Sequence, residues 1–194
     1  MLTARFADAL SCAQDWHRAQ MRKGSSTPYI AHLLSVAALV LEAGGTEDEA
    51  IAALLHDAIE DQGGSVVGET ISAKFGPNVL AIVRECSDWD GDAAKPSWRQ
   101  RKESFVASIA EISASGRLVL AADKLHNARD LREDYRVLGD GLWHRFNGGR
   151  TGTMWYYRAV ADALEQALAP KRIVDELQRV VTELEELAAA GHKS

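Results

Sequence analysis

Residues 50–61, AIAALLHDAIED, begin as an apolar helix and end in a burst of polarity: His56, Asp57, Glu60 and Asp61. Residues four apart on a helix lie one above the other, so His56 stacks with Glu60 and Asp57 with Asp61 if the segment is one continuous helix. Three acids at a helix C-terminus oppose the helix dipole, which favours cations there. A local rule broken this sharply marks a functional position more often than an accident.

The rest of the chain reads as helices with clear punctuation. Residues 3–20 place Phe6, Leu10, Ala13 and Trp16 at helical spacing. A polar loop, Met21 to Thr27, leads to Pro28, which favours a new helix start. A helix over 29–43 ends at Gly44-Gly45, and Thr46 with Glu49 forms a capping box for the next. Shorter helices are predicted over 66–75 and 79–86, a loop over 87–97, and a helix over 98–112 broken at Ser115-Gly116. Residues 117–131, RLVLAADKLHNARDL, again run from apolar to polar, here at Asp123, Lys124, His126 and Asn127. Residues 132–152 are rich in Gly, Asp and Arg and read as irregular. Helices over 153–168 and about 173–190 follow. With no strand pattern, repeat or linker, the expectation is an all-α, single-domain helical bundle spanning 1–194, with its core over about 5–165.

Composition narrows the class. A net charge of −6 argues against nonspecific binding to nucleic acid, though a few local cations can still hold an anionic small molecule. No apolar run reaches the roughly 18 residues of a membrane span, and the N-terminal stretch lacks the apolar core of a signal peptide. Cys12 and Cys86 have no metal-type spacing and suggest no disulfide framework, so a reduced cytoplasmic location is expected. The amphipathic C-terminal helices can pack internally or build a homo-oligomer.

His32, His56-Asp57 and Asp123 lie on separate predicted helices. Two imidazoles and two carboxylates suit a borderline divalent ion such as Mn, Fe or Zn. Four protein ligands leave room for water, which a dication makes nucleophilic near neutral pH. Glu60 and Asp61, one turn away, can then orient that water and move protons. Arg22 and Lys23, followed by a Gly-Ser-Ser-Thr loop, fit a phosphate clamp. Arg101 and Lys102 are a weaker pair of the same kind, and Tyr156 and Tyr157 read as core or interface aromatics.

The order RKG, PYIAH, LLHDAIED and ADKLHNARDL resembles the HD superfamily of metal-dependent phosphohydrolases. Within it the chain is most similar to RelA/SpoT hydrolase domains in their short form, the small alarmone hydrolases. That resemblance implies metal ligation by His32, His56, Asp57 and Asp123, with Mn2+ the usual ion, and catalytic roles for Glu60 and Asp61. It places Arg22, Lys23 and Asn127 at a nucleotide, with Lys102, Arg150 and Tyr156 lining the same cleft by looser matching. The implied reaction removes the 3′-pyrophosphate of ppGpp or pppGpp, giving GDP or GTP and pyrophosphate. No room remains for a synthetase domain, so degradation rather than synthesis is expected.

Residues 132–157 depart from the long enzymes, which leaves the base open. The alternatives are an adenosine alarmone, the phosphate of a dinucleotide cofactor such as NADPH, or a nucleoside monophosphate. A non-catalytic nucleotide sensor is a further alternative, although a sensor has no need of a water-activating acid pair.

Overall fold

The computed structural model describes residues 1–89 and 96–191. Among them the chain is all-α: ten α-helices, one 3-10 helix and a single isolated bridge between Met21 and Pro28. None of these helices is long and apolar enough to cross a membrane.

Helix α1 (Ala4–His17) opens on Thr3, whose hydroxyl accepts from the Arg5 amide. The 21–28 bridge then pinches the basic loop into a tight excursion, closed by the Arg22 amide on the Thr27 carbonyl at 2.8 Å. Helix α2 (Ile30–Glu42) follows and stops at Ala43, with Gly44 at φ 85° just beyond. Helix α3 (Glu47–Leu55) starts on the Thr46–Glu49 capping box, with three acids in its first turn, where the dipole favours them. Every residue of α3 from Ala50 to Leu55 is fully buried. A helix apolar all round must be enclosed by others, and α3 packs against α1, α2, α6 (Pro77–Cys86) and α8 (Ala114–Leu138).

The polar end of this segment differs from the expected continuous helix. The helix ends at Leu55, and a short α4 (Ala58–Gln62) begins after a turn at His56-Asp57. The Nδ1 of His56 bonds the Ala53 carbonyl at 2.8 Å, the group that an unbroken helix offers to the Asp57 amide. Glu60 and Asp61 therefore sit in the first turn of a new helix. The expected conflict with the dipole disappears, because acids are favoured at that end.

Gly63 and Gly64, both at positive φ, redirect the chain into α5 (Gly64–Phe75). Helix α7 (Trp98–Ser108) is shorter than expected. The loop expected over 87–97 falls mostly on 90–95, outside the described residues. Ser113 caps α8 by accepting from the Gly116 amide, so Ser115-Gly116 lies inside the first turn rather than breaking a helix. The Glu85 carboxylate occupies the space where a Cβ at residue 116 would stand.

Residues 132–152 are the largest departure from expectation. Helix α8 continues to Leu138, a 3-10 helix covers Gly139–Arg145, and α9 (Gly149–Gln166) starts at once. Leu131 and Tyr135 join Leu142, Trp143, Leu184 and Ala188 in a second apolar cluster. Burial against α10 (Lys171–Gly191) thus overrides a composition that reads as loop.

Candidate metal centre and substrate cleft

His32 lies in the first turn of α2, His56 and Asp57 form the α3–α4 junction, and Asp123 sits in mid α8. The fold brings them together. The Nε2 of His32 is 3.2 Å from Asp123 Oδ1 and 3.6 Å from Asp57 Oδ2. The Nε2 of His56 is 3.0 Å from Asp57 Oδ2 and 3.5 Å from Asp123 Oδ1. Ligand atoms of His32, His56 and Asp57 all fall within 4.8 Å of one another.

Both imidazoles are buried, and neither Nε2 makes a hydrogen bond of proper geometry, despite the nearby carboxylates. Buried polar atoms are seldom left unsatisfied. His56 Nδ1 donates to a backbone carbonyl, so the neutral ring carries its lone pair on Nε2, directed at the acids. Two such nitrogens and two carboxylates are the donor set of a divalent metal, and the residues fit one.

Charge balance gives the same answer. Burial disfavours a charged His56, but Asp57 and Asp123 outweigh it and hold its pKa well above the ordinary value. Burial likewise disfavours the Asp57 and Asp123 carboxylates. His56 and His32 outweigh it at Asp57, and Lys124 with the two histidines does so at Asp123, so both pKa values lie well below normal. A dication can replace the imidazole proton as the counter-charge, so metal and proton compete for the centre.

Each carboxylate is oriented from outside. Tyr29 donates its hydroxyl to Asp57 Oδ2 at 2.6 Å. Lys124 donates to Asp123 Oδ2 at 2.6 Å, and Asn127 donates to Asp123 Oδ1. Such outer contacts set the direction of ligand lone pairs.

Two cavities adjoin the centre. The inner one, about 140 Å³, is lined by Asp57 and Asp123 together with Glu60, Lys102, Lys124 and Tyr156. The outer one, about 360 Å³, is lined by Lys23, Ser25, Thr27, His126, Phe146 and Tyr157 among others. Arg22 and Asn127 line both. They are joined by a 2.6 Å hydrogen bond from the Arg22 guanidinium to Asn127 Oδ1, and Arg22 also pairs with Asp130 at 2.9 Å. Lys23 lies over the Phe146 ring at 5.3 Å. Lys102 pairs with Asp88 at 2.6 Å and lies over the Tyr156 ring at 4.6 Å. The buried Tyr156 hydroxyl has no hydrogen-bond partner among the described residues.

Asp61 faces a different side from Glu60. Its Oδ2 accepts from Gln20 at 2.8 Å, and Gln20 Oε1 accepts in turn from His17 and Gln62. Burial, and then the nearby Asp57 charge, raise the Asp61 pKa, which suits a group that exchanges protons. Arg150 is not brought to either cavity. It donates to the Ala188 carbonyl and lies 3.8 Å from Asp140, so it ties α9 to α10 and the 3-10 helix.

Sequence reasoning assigned no role to Tyr29, Lys124, His126, Gln20 or Asp88. Tyr29 precedes His32 by three positions, and Lys124 and His126 flank the polar end of α8, so spacing offered a signal for those three. Asp88 stood in a loop-like stretch and offered none.

Residues 9–154 match the HD domain family. The chain belongs to the HD domain family. Among curated relatives of this HD domain protein, the guanosine-3′,5′-bis(diphosphate) 3′-pyrophosphohydrolase MESH1 of Drosophila melanogaster is 37% identical over 133 residues, 67% of this chain and 71% of that protein. MESH1 of Homo sapiens is 36% identical over 131 residues, 66% of this chain and 70% of that one. The solved structure of a metazoan ortholog of SpoT that hydrolyzes ppGpp superposes with a TM-score of 0.77 at 31% identity, covering 93% of this chain and 95% of that one.

Proposed function

We propose that this HD domain protein is a Mn2+-dependent hydrolase that removes the 3′-pyrophosphate of ppGpp or pppGpp, leaving GDP or GTP. The observation that carries the proposal is the abutment of the His/Asp centre on a cation-lined cleft through the shared Arg22–Asn127 pair. Similarity to the MESH1 enzymes supports the substrate.

In this reading His32, His56, Asp57 and Asp123 would hold the ion. Mixed imidazole and carboxylate donors suit Mn2+. When bound, the ion supplies Lewis acidity to a phosphoryl oxygen and acidifies water. Glu60, in the inner cavity with Asp57, takes the proton of the attacking water. That proton passes to the ribose 3′-oxygen as the bond from that oxygen to phosphorus breaks, and Asp61, held by Gln20 beside the inner cavity, assists the transfer. Lys102 and Tyr156 receive the departing pyrophosphate in the inner cavity, and Arg22, Lys23 and Asn127 hold the remainder of the nucleotide.

The test is to incubate Mn2+-loaded protein with guanosine and adenosine 3′-pyrophosphates, a dinucleotide phosphate and nucleoside monophosphates, and to identify the products. Pyrophosphate with GDP or GTP is expected; release of orthophosphate alone, or turnover confined to a non-guanosine compound, overturns the assignment. Arg22→Ala should mainly raise KM. A charge-assisted hydrogen bond is worth about 1.5–3 kcal/mol, so the rise is on the order of tenfold or more. An unchanged KM would reduce the basic loop to a solvated surface feature.

A further inference from the structure

His126 has no part in the mechanism above, yet its Nδ1 lies 2.9 Å from Nδ1 of the buried His32. The two rings meet at a 56° tilt with centroids 4.8 Å apart. Two imidazole nitrogens can share only one proton between them, so one must donate and the other accept.

The metal centre decides which. His32 directs Nε2 at Asp57 and Asp123 without a hydrogen bond of proper geometry to either. A nitrogen that binds metal must present its lone pair, so the ring proton of a neutral His32 belongs on Nδ1. That N–H then points at His126 Nδ1, which has to accept. The carboxylate nearest His126 Nδ1, Asp130 Oδ2, stands at 3.6 Å and pairs with Arg22 at 2.9 Å. It lies too far to draw the His126 proton onto that nitrogen.

His56 makes the contrast. Its Nδ1 is fixed by the Ala53 backbone carbonyl, a partner that no side-chain change removes. His32 relies on a side chain 94 residues away, carried on the same helix as the ligand Asp123 and three residues beyond it.

We propose that His126 is a positioning residue for the metal centre: its Nδ1 accepts the His32 Nδ1 proton and holds His32 in the tautomer that presents Nε2 to a divalent cation. The proposal rests on His32 being a metal ligand.

The experiment titrates Mn2+ calorimetrically into metal-stripped full-length protein. Wild type, His32→Ala, His126→Phe, His126→Leu and His126→Asn are compared. Asn places its Oδ1 where the histidine has Nδ1 and so keeps an acceptor. Phe keeps the ring and Leu much of the bulk, and both lose it. Having two acceptor-less variants keeps the test intact if one fails to fold, which circular dichroism reports. Loss of an outer-contact partner of this kind weakens metal binding by about 10–100-fold. That weakening is expected for Phe and Leu, with Asn close to wild type. Wild-type affinity in a folded Phe or Leu variant overturns the proposal, as does an Asn variant weakened as much as Leu. Unchanged Mn2+ affinity in His32→Ala overturns instead the ligand assignment beneath it, so the two failures are told apart.

Discussion

Asp57→Ala should yield protein that neither retains metal nor hydrolyses nucleotide. Asp57 Oδ2 lies 3.0 Å from one imidazole Nε2 and 3.6 Å from the other, so with Asp123 Oδ1 it is one of the two carboxylate oxygens that both histidines face. Its loss leaves two imidazoles and Asp123, with one negative charge fewer to hold a dication. It also leaves the Tyr29 hydroxyl without its acceptor at the edge of the inner cavity. A bound metal contributes several kcal/mol of transition-state stabilisation. At about 1.4 kcal/mol per tenfold, the expected fall in kcat is at least about 10³-fold. The checks are metal content by elemental analysis and turnover on the preferred nucleotide. A metal-free variant turning over at the wild-type rate would remove the centre from the mechanism altogether.

Glu60→Gln combined with Asp61→Asn should separate chemistry from metal binding. Both amides keep the shape of the acids and lose the charge and the exchangeable proton. Neither acid is among the four groups assigned to the ion, so metal content should stay at the wild-type level. Positioned acid–base groups are worth about 10²–10⁴-fold in rate, and kcat should fall within that range with little change in KM. The single variants divide the effect. Glu60 lines the inner cavity directly, whereas Asp61 is held from the side by Gln20 and has a raised pKa. Asp61→Asn should therefore distort the pH–rate profile, and Glu60→Gln should lower the rate across the whole range. An unaffected rate in the double variant would show that the acids serve only the α4 helix start.

Much of this molecule is legible locally. Apolar residues at helical spacing, with Gly44-Gly45, Gly63-Gly64 and Pro77 as punctuation, account for the helices because backbone preference and amphipathic burial act over a few residues. The polar ends of the 50–61 and 117–131 segments exposed His56, Asp57 and Asp123 for a related reason: charge inside an apolar helix conflicts with burial unless something satisfies it. The segments that misled were those whose neighbours lie far along the chain. Residues 132–152 carry a loop-like composition, but Leu131, Tyr135 and Trp143 are buried with Leu184 and Ala188, partners about fifty residues later. Arg150 reads as one more cation for the cleft, until packing turns it onto the end of α10.

The sequence alone sufficed for the all-α class, because that follows from apolar residues recurring every three or four positions, and the polar ends of two apolar segments offered His56, Asp57 and Asp123 as candidate ligands. Only the packed chain could break the central helix at His56-Asp57, place Glu60 and Asp61 at a favourable helix start, and aim Asp61 at Gln20 instead of the inner cavity. It alone joined His32 to His126 and Arg22 to Asn127. Those contacts span about a hundred residues, and no local periodicity encodes which lone pair meets which proton.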